Sequence, residues 1–401
     1  MLMTQVSTQE LAASDEMAMP LESQSYTKKI TFDEVHERVC NDDKGKWDVV
    51  LPSSEVAMQS GKIFFPDCKA YECESGLQLS NWATGQMCSR LNIPAAYFKR
   101  CPAELQDEQF NWWNGQDGEA LDVEDFTTDI MPDGRLYTGQ GKTDRWLLRA
   151  KGESLRAVLT DRYTPIDNRM LVQCLRRTLP PRLQIQWISV DDESFHLRLF
   201  DPELRIEVRD GDPLMAGLHI SNSEVGKRSV TIDSIVYRQV CTNGLIRLVK
   251  GKSILQQRHI AVSPAHFIAL LKRAMLQAVI ASHEFLEQMA WSSREPIRDV
   301  ETEMKNLVSD WHLSQVFVEK VELCLLHEER ANQENLFGLV NALTRAAQNL
   351  DAEQRYDMEV FAGKFLERKL SQSQRSANLV ALPHPAVSAA KVLLGAEEVE
   401  V

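Results

Sequence analysis

The chain has 401 residues, of which 43% are hydrophobic and 26% charged, and its formal net charge is −13. This composition is typical of a globular protein, and the length is sufficient for two domains. No apolar run reaches the ~18 residues that a membrane span needs. The first basic residue is Lys28, so the N-terminal stretch lacks the positive region of a secretory signal. We therefore expect a cytoplasmic protein with no membrane association.

Eight cysteines are spread along the chain. In a long chain without a secretory signal, reduced thiols are the expected state. The alternative is a zinc site formed by Cys68, Cys73, Cys88 and Cys101, although its spacing is looser than that of the usual C-x2-C pairs. We expect no cofactor.

Four regions follow one another along the chain. Residues 1–27 are polar and lack periodicity, which predicts disorder. Residues 28–262 are predicted to form an α+β core domain, in which the stretch 103–140 contains many turn signals and is interpreted as a loop or a meander. Residues 263–370 carry apolar positions at helical spacing. Residues 371–401 begin with a polar linker and are predicted to form a flexible acidic tail.

A hairpin followed by a helix forms the centre of the predicted core domain. Residues 146–160 alternate in polarity on either side of Gly152, as two paired strands would. Pro165 interrupts the strand pattern, and Asp167 or Asn168 can cap the helix that follows.

Alternating segments between residues 183 and 240 predict further strands, which we expect to pair antiparallel because no helical crossover separates them. Ser263 and Pro264 are residue types that begin a helix, and this helix is predicted to run to about Trp291. These patterns predict the α+β class, with a central antiparallel sheet, a hairpin-turn-helix unit and a helical C-terminal region.

Basic residues are distributed unevenly along the chain. Residues 235–283 contain no Asp or Glu, and arginines are frequent in the hairpin-helix unit. Such separation of charge can produce a positive face on a protein whose total charge is negative. The competing interpretation is an ordinary solvated surface. The candidate nucleic-acid-binding residues are Arg149, Lys151, Arg156, Arg162, Tyr163, Arg169, Arg238, Arg247, Lys250, Lys252 and Arg258.

The sequence contains no G-x-S-x-G elbow, no H-E-x-x-H and no Walker A loop, so we favour a protein that is not an enzyme. A metal-dependent nuclease is the weaker alternative. It would require Asp161 and Asp167 to converge with Glu153, whereas turn and cap roles are expected for the two aspartates.

Several segments carry a family resemblance: LRAVLTDRYTPIDN at 155–168, NSEVG at 222–226, VCTNGL at 240–245, LSNWA at 79–83 and LNIPAAY at 91–97. The chain resembles, over roughly residues 75–280, an uncharacterised phage- and plasmid-borne family catalogued as domain of unknown function 932. The resemblance implies a place beside recombination, repair or anti-restriction functions of mobile elements, and it carries no catalytic residues to this chain.

Together, the basic residues and the resemblance lead us to expect a single-stranded DNA-binding or strand-annealing protein of a mobile element. Its basic strip would hold the backbone of a single-stranded nucleic acid, and aromatic side chains such as Tyr163 would stack on bases. We expect a homo-oligomer. The alternative is a protein-interaction module, such as an anti-defence or regulatory factor, whose helical C-terminal region docks a partner.

Overall fold

The structure is a computed structural model, and it describes residues 30–66, 68–114, 145–209, 212–238, 243–247, 253–260, 263–297, 299–330 and 335–377. The predicted disorder of residues 1–27 lies outside these ranges, as does most of the predicted acidic tail.

Helices and strands alternate in the first half of the chain, and helices alone make up its end. The helices are α1 (Phe32–Asp42), α2 (Asn81–Leu91), α3 (Ala95–Phe98), α4 (Ala103–Asn114), α5 (Asn168–Thr178), α6 (Pro264–Ser292), α7 (Val300–Ser309), α8 (Gln315–Arg330), α9 (Leu336–Ala346) and α10 (Ala352–Ala377). The strands are β1 (Lys46–Pro52), β2 (Ala57–Gln59), β3 (Lys62–Phe64), β4 (Leu77–Leu79), β5 (Arg145–Lys151), β6 (Ser154–Thr160), β7 (Gln184–Val190), β8 (Phe195–Arg209), β9 (Asp212–Asn222), β10 (Val230–Arg238), β11 (Asn243–Arg247) and β12 (Leu255–Gln257). The α+β class is confirmed.

The predicted hairpin belongs to a sheet of its own. The first sheet has the order β1-β5-β6-β4-β3-β2. Its β4–β6 pair is parallel, and its other pairs are antiparallel. Trp146, Leu148 and Leu155 pack with residues of α2 and α4, such as Met87 and Phe110, to form the core of this part. The sequence predicted one central sheet, and the structure has two.

The second sheet has the order β11-β10-β9-β8-β7, with β12 also paired to β10. Alternate residues on its long strands point to opposite faces. One face is apolar and is covered by α1, α5 and α6, as the burial of Leu197, Ile220 and Ile232 with these helices indicates. The other face carries polar side chains such as His196 and His219, which lie under α10.

Helix α6 begins where the sequence predicted. The Ser263 hydroxyl accepts a hydrogen bond from the His266 amide, and Pro264 occupies the first turn. Within the described part of the chain, residues 265–292 are the stretch long and apolar enough to cross a membrane by length and composition. Phe267 and Phe285 are buried against the second sheet, which is typical of the core helix of a soluble protein.

Two local predictions are wrong. The stretch 103–140 was interpreted as a loop, but its first part forms α4, and residues 115–144 lie outside the described ranges. The polar linker predicted from Ser371 is instead helical, since α10 continues to Ala377. In both places, a run of polar residues in a helix resembles a loop in sequence.

Candidate functional site

The two sheets are joined by a buried polar cluster around Glu224, which lies in the connection between β9 and β10. Its carboxylate accepts hydrogen bonds from Lys46 Nζ at 2.7 Å, Arg156 Nη2 at 3.1 Å and the Asn168 amide at 2.9 Å. Burial alone would raise the pKa of Glu224, but Lys46, the Asn168 amide and Arg156 outweigh it and lower that pKa. Glu224 is therefore held as a carboxylate, bonded to residues from three separate elements.

Arg149 lies inside the same cluster and is 4% exposed. Its guanidinium donates to Asp48 at 2.9 Å, to Asp167 at 2.6 Å and to the Glu224 carbonyl at 2.7 Å. Burial would lower the pKa of Arg149, but the two carboxylates outweigh it and raise the pKa. Because its donors are engaged internally, Arg149 is not free to bind a phosphate.

Arg156 and Tyr163 also face inward. Arg156 is 4% exposed and donates to Glu224 and to the Asp192 carbonyl. The Tyr163 hydroxyl donates to the carbonyls of Ser223 and Glu224 at 3.0 and 3.1 Å. The tyrosine ring stacks on His259, with ring centroids 4.8 Å apart. Tyr163 thus connects the two sheets, and its ring already has a stacking partner.

Three of the five segments that carry the family resemblance meet at this cluster. Residues 155–168 supply Arg156 and the Asn168 amide, and residues 222–226 supply Glu224. The stretch 79–83 supplies Trp82, whose indole donates to the Val225 carbonyl at 2.9 Å. The contacts give these motifs a structural role in joining the sheets.

The other predicted binding residues fall into four groups. Arg238 is buried and bonded to Asp212, so it does not form part of a surface. Lys151 is partly exposed and pairs with Asp42 at 2.9 Å. Three are exposed, namely Arg162, Arg169 and Arg258. Lys250, Lys252 and the side chain of Arg247 lie outside the described residues. The predicted positive face is therefore wrong for Arg149, Arg156 and Arg238, which are buried and paired with acidic groups or carbonyls.

Exposed cations cluster instead on the outer surface of α5 and the first half of α6. Helix α5 and residues 264–283 contain no Asp or Glu. We call this the basic helix surface. It comprises Arg169 and Arg177 on α5, Lys272 and Arg273 on α6, and Arg162 and Arg258 in the segments that precede these helices; all six are exposed.

An isolated bridge between Tyr163 and Ile260 holds the starts of α5 and α6 together. The two helices contact each other beyond it. Arg177 and Arg273 each follow the start of their helix by nine residues, which is about 13 Å along each axis. The two residues therefore lie at about the same distance along their own helices.

These cations have few acidic neighbours. Within the described ranges, Arg177, Lys272 and Arg273 have no carboxylate within ion-pair distance, whereas Arg169 has only a 3.7 Å contact with Asp43. The sequence prediction missed Arg176 and Arg177. The signal was available, since α5 is amphipathic and carries basic but no acidic residues on its outer side.

A second buried polar group lies under α10. His196 Nε2 contacts Glu353 Oε1 at 3.2 Å, and His196 Nδ1 contacts His219 Nε2 at 3.0 Å. Since the carboxylate can only accept, His196 carries its proton on Nε2, and His219 then donates from its own Nε2. Burial, followed by the nearby Arg198, lowers the pKa of His219 well below its usual value. Both imidazoles are therefore neutral at pH 7.

No carboxylate constellation for a nuclease forms among the described residues. Asp167 pairs with Arg149, and Glu153 accepts from Ser75. Glu153 and Asp161 flank opposite ends of β6, about 25 Å apart. Throughout the described ranges there is no group of three or more His, Cys, Asp or Glu side chains that could hold a metal ion, and the four cysteines of the zinc alternative form no such group.

Comparison with known proteins identifies a family. The model of the family described as "Domain of unknown function (DUF932)" matches residues 156–359. The chain belongs to this family. The match begins at Arg156 and ends at Glu359, so it includes Glu224, Arg156 and Asn168 of the buried cluster, the basic helix surface and the histidines under α10, but not Lys46 or Arg149. No curated protein and no solved structure matches the chain.

Proposed function

We propose that this DUF932 protein binds single-stranded nucleic acid through the basic helix surface. The observation that carries the proposal is the set of exposed cations on α5 and the first half of α6, which includes Arg177, Lys272 and Arg273; neither of these two helical segments contains Asp or Glu. Cations without internal partners can exchange their counterions for phosphates, and this release supplies most of the sequence-independent affinity for nucleic acid.

The proposed surface differs from the one expected from the sequence. Arg149, Arg156 and Arg238 stabilise the fold through buried ion pairs. Arg162, Arg169 and Arg258 are exposed and stay in the proposed nucleic-acid-binding surface. The net charge of −13 does not oppose local binding, because potentials at a surface depend on nearby charges within about 10 Å at ordinary salt.

A single strand is favoured over a duplex because the sequence carries no helix-turn-helix or zinc-finger pattern that would read a groove. Strand annealing in a homo-oligomer, a cytoplasmic location and a role on a mobile element are the remaining parts of the proposal. They draw support from the resemblance of the motif segments to a phage- and plasmid-borne family.

Fluorescence anisotropy with labelled single- and double-stranded oligonucleotides across a salt series tests the proposal. We expect binding to the single strand that weakens steeply with salt and exceeds binding to the duplex. A lack of binding to either oligonucleotide at low salt would refute it. Equal or tighter binding to the duplex would refute the single-strand preference.

A second candidate function, a protein-interaction module, is favoured by one specific feature of α8. Val316, Leu323 and Leu326 are 44, 64 and 50% exposed and lie on the outer side of this helix. Exposed apolar side chains grouped on one face mark many protein contact sites. If this function holds, Leu323→Asp abolishes binding of a protein partner and leaves oligonucleotide affinity unchanged.

A further inference from the structure

A depression of ≈ 440 Å³ lies between α1 and α5, beside the basic helix surface, and is lined by His36, Gln173, Arg176 and Arg177. Its volume is within the range of small-ligand sites in proteins. The lining contains two guanidinium groups, an imidazole and an amide, and no carboxylate. This combination is rich in hydrogen-bond donors and positive charge.

The local contacts leave most of these donors available. The Gln173 amide lies 3.4 Å from His36 Nε2, which orients the imidazole. Arg176 contacts Asp33 at 2.8 Å, but the side chains are 53% and 75% exposed, so this pair is weak. Arg177 is exposed, with no carboxylate within ion-pair distance in the part of the chain that the structure describes.

A phosphate monoester matches this lining better than an internal phosphodiester. A monoester carries a charge of about −1.5 to −2 near pH 7 and presents three terminal oxygens, and planar guanidinium groups bind such oxygens in pairs. An internal diester carries a charge of about −1 and has only two free oxygens, so it cannot satisfy both arginines equally well.

We propose that this depression binds the terminal phosphate monoester of a nucleic-acid strand, with Arg176 and Arg177 as the principal contacts. The inference rests on the proposed function and deepens it, because it assigns a binding site to one end of the strand. A strand held by its terminal phosphate would continue along the basic helix surface toward Lys272 and Arg273.

The experiment measures the affinity of the full chain for single-stranded oligonucleotides of one sequence that carry a 5′-phosphate, a 3′-phosphate or only hydroxyl ends. We expect one phosphorylated end to raise the affinity about tenfold, which is what one or two charge-assisted hydrogen bonds contribute. Arg177→Ala should abolish this increase. Arg169→Ala, on the same helix but outside the depression, should weaken all three oligonucleotides by a similar factor and preserve the increase.

Competition separates the possible sources of the phosphate. Inorganic phosphate and a nucleoside 5′-monophosphate are added to the complexes formed by the wild-type chain. Competition that removes only the advantage of the phosphorylated end supports a site for the monoester group itself, whether free or on a strand.

Three outcomes overturn the inference. If all oligonucleotides bind equally, the terminal-phosphate site is refuted while the proposed function stands. If Arg177→Ala weakens phosphorylated and unphosphorylated strands by the same factor, Arg177 contacts internal phosphates instead. If none of the oligonucleotides binds at low salt, both the proposed function and this site are refuted.

Discussion

Replacement of Glu224 by Gln is predicted to destabilise the protein more than any exchange of a surface carboxylate. The substitution keeps the size of the side chain but removes its negative charge. Arg156, whose side chain is 4% exposed, then loses the carboxylate with which it pairs, whereas Lys46 keeps Asp42 at 2.5 Å. Removing one partner of a buried ion pair costs about 3–5 kcal/mol, because an uncompensated buried charge remains.

Glu193→Gln is the matched control. Glu193 pairs with Lys227 at 2.8 Å, a distance close to that between Lys46 and Glu224, but its side chain is 36% exposed. Solvent screens this pair, so we expect Glu193→Gln to lower the free energy of unfolding by at most about 1 kcal/mol. Both substitutions exchange Glu for Gln, so they alter the shape of the side chain and the net charge of the protein in the same way.

The assay is urea unfolding at pH 7, with the free energy of unfolding taken from the midpoint and the slope. We expect the midpoint of Glu224→Gln to fall by several times the shift seen for Glu193→Gln. Hydrogen exchange should also rise in β6 and around residues 222–226, since these two regions meet at Glu224. If the two variants lose similar stability, the cluster does not hold the sheets together and this reasoning fails.

Three further predictions concern other parts of the same structure. Gly226→Ala should cost more stability than Gly152→Ala in urea unfolding. Both glycines have positive φ, which costs about 1–2 kcal/mol in alanine, but only at Gly226 would a Cβ meet a neighbouring side chain at 2.8 Å; equal losses would contradict this. Because the pKa of His219 is lowered in the folded protein, its imidazole binds a proton more readily in the unfolded chain. The free energy of unfolding therefore falls as the pH drops below 6.5, and this loss is absent above pH 6.5. His219→Gln should reduce the dependence of unfolding free energy on pH there by about 1.4 kcal/mol per unit, and an unchanged profile would refute the assignment. Tyr163→Leu should lower stability without changing oligonucleotide affinity, and a selective loss of affinity would restore a base-stacking role for Tyr163.

Local patterns were sufficient to predict much of the fold. The alternation around Gly152 predicts β5 and β6, and Gly152 has the positive φ of 55° that a tight turn requires. Ser263 and Pro264 correctly predict the start of α6. These features depend on residues close together in sequence, where backbone sterics and capping act directly.

The orientation of charged side chains could not be predicted in the same way. Arg149 and Arg156 occupy a strand pattern that is equally compatible with exposure to solvent and with burial against another segment. Glu224 is 75 residues from Arg149 and 68 residues from Arg156 along the chain. Only the fold brings these groups together, so their sequence neighbourhood favours a basic surface while their true partners are distant.

The number of sheets could not be predicted from local sequence patterns either. Strand β4 has three residues and pairs in parallel with β6, which places the predicted hairpin in the first sheet. A strand this short has little periodicity to detect. For α4 the reason is different, because its acidic residues and the turn signals that follow it favour a loop.

The central claim is that the cations of α5 and α6 bind the nucleic-acid backbone, and a comparison of two triple variants tests it most directly. Arg177, Lys272 and Arg273 are replaced by Ala in one variant. In the other, Ala replaces Lys69, Lys99 and Arg100, which are exposed near the first sheet. Each variant therefore loses three positive charges.

Single-strand affinity is then measured by anisotropy across a salt series. The account predicts that the first variant alone loses affinity, and that the slope of log affinity against log salt falls in magnitude by about 2, as expected for three lost phosphate contacts. Equal losses in the two variants, or no loss in the first, would contradict it.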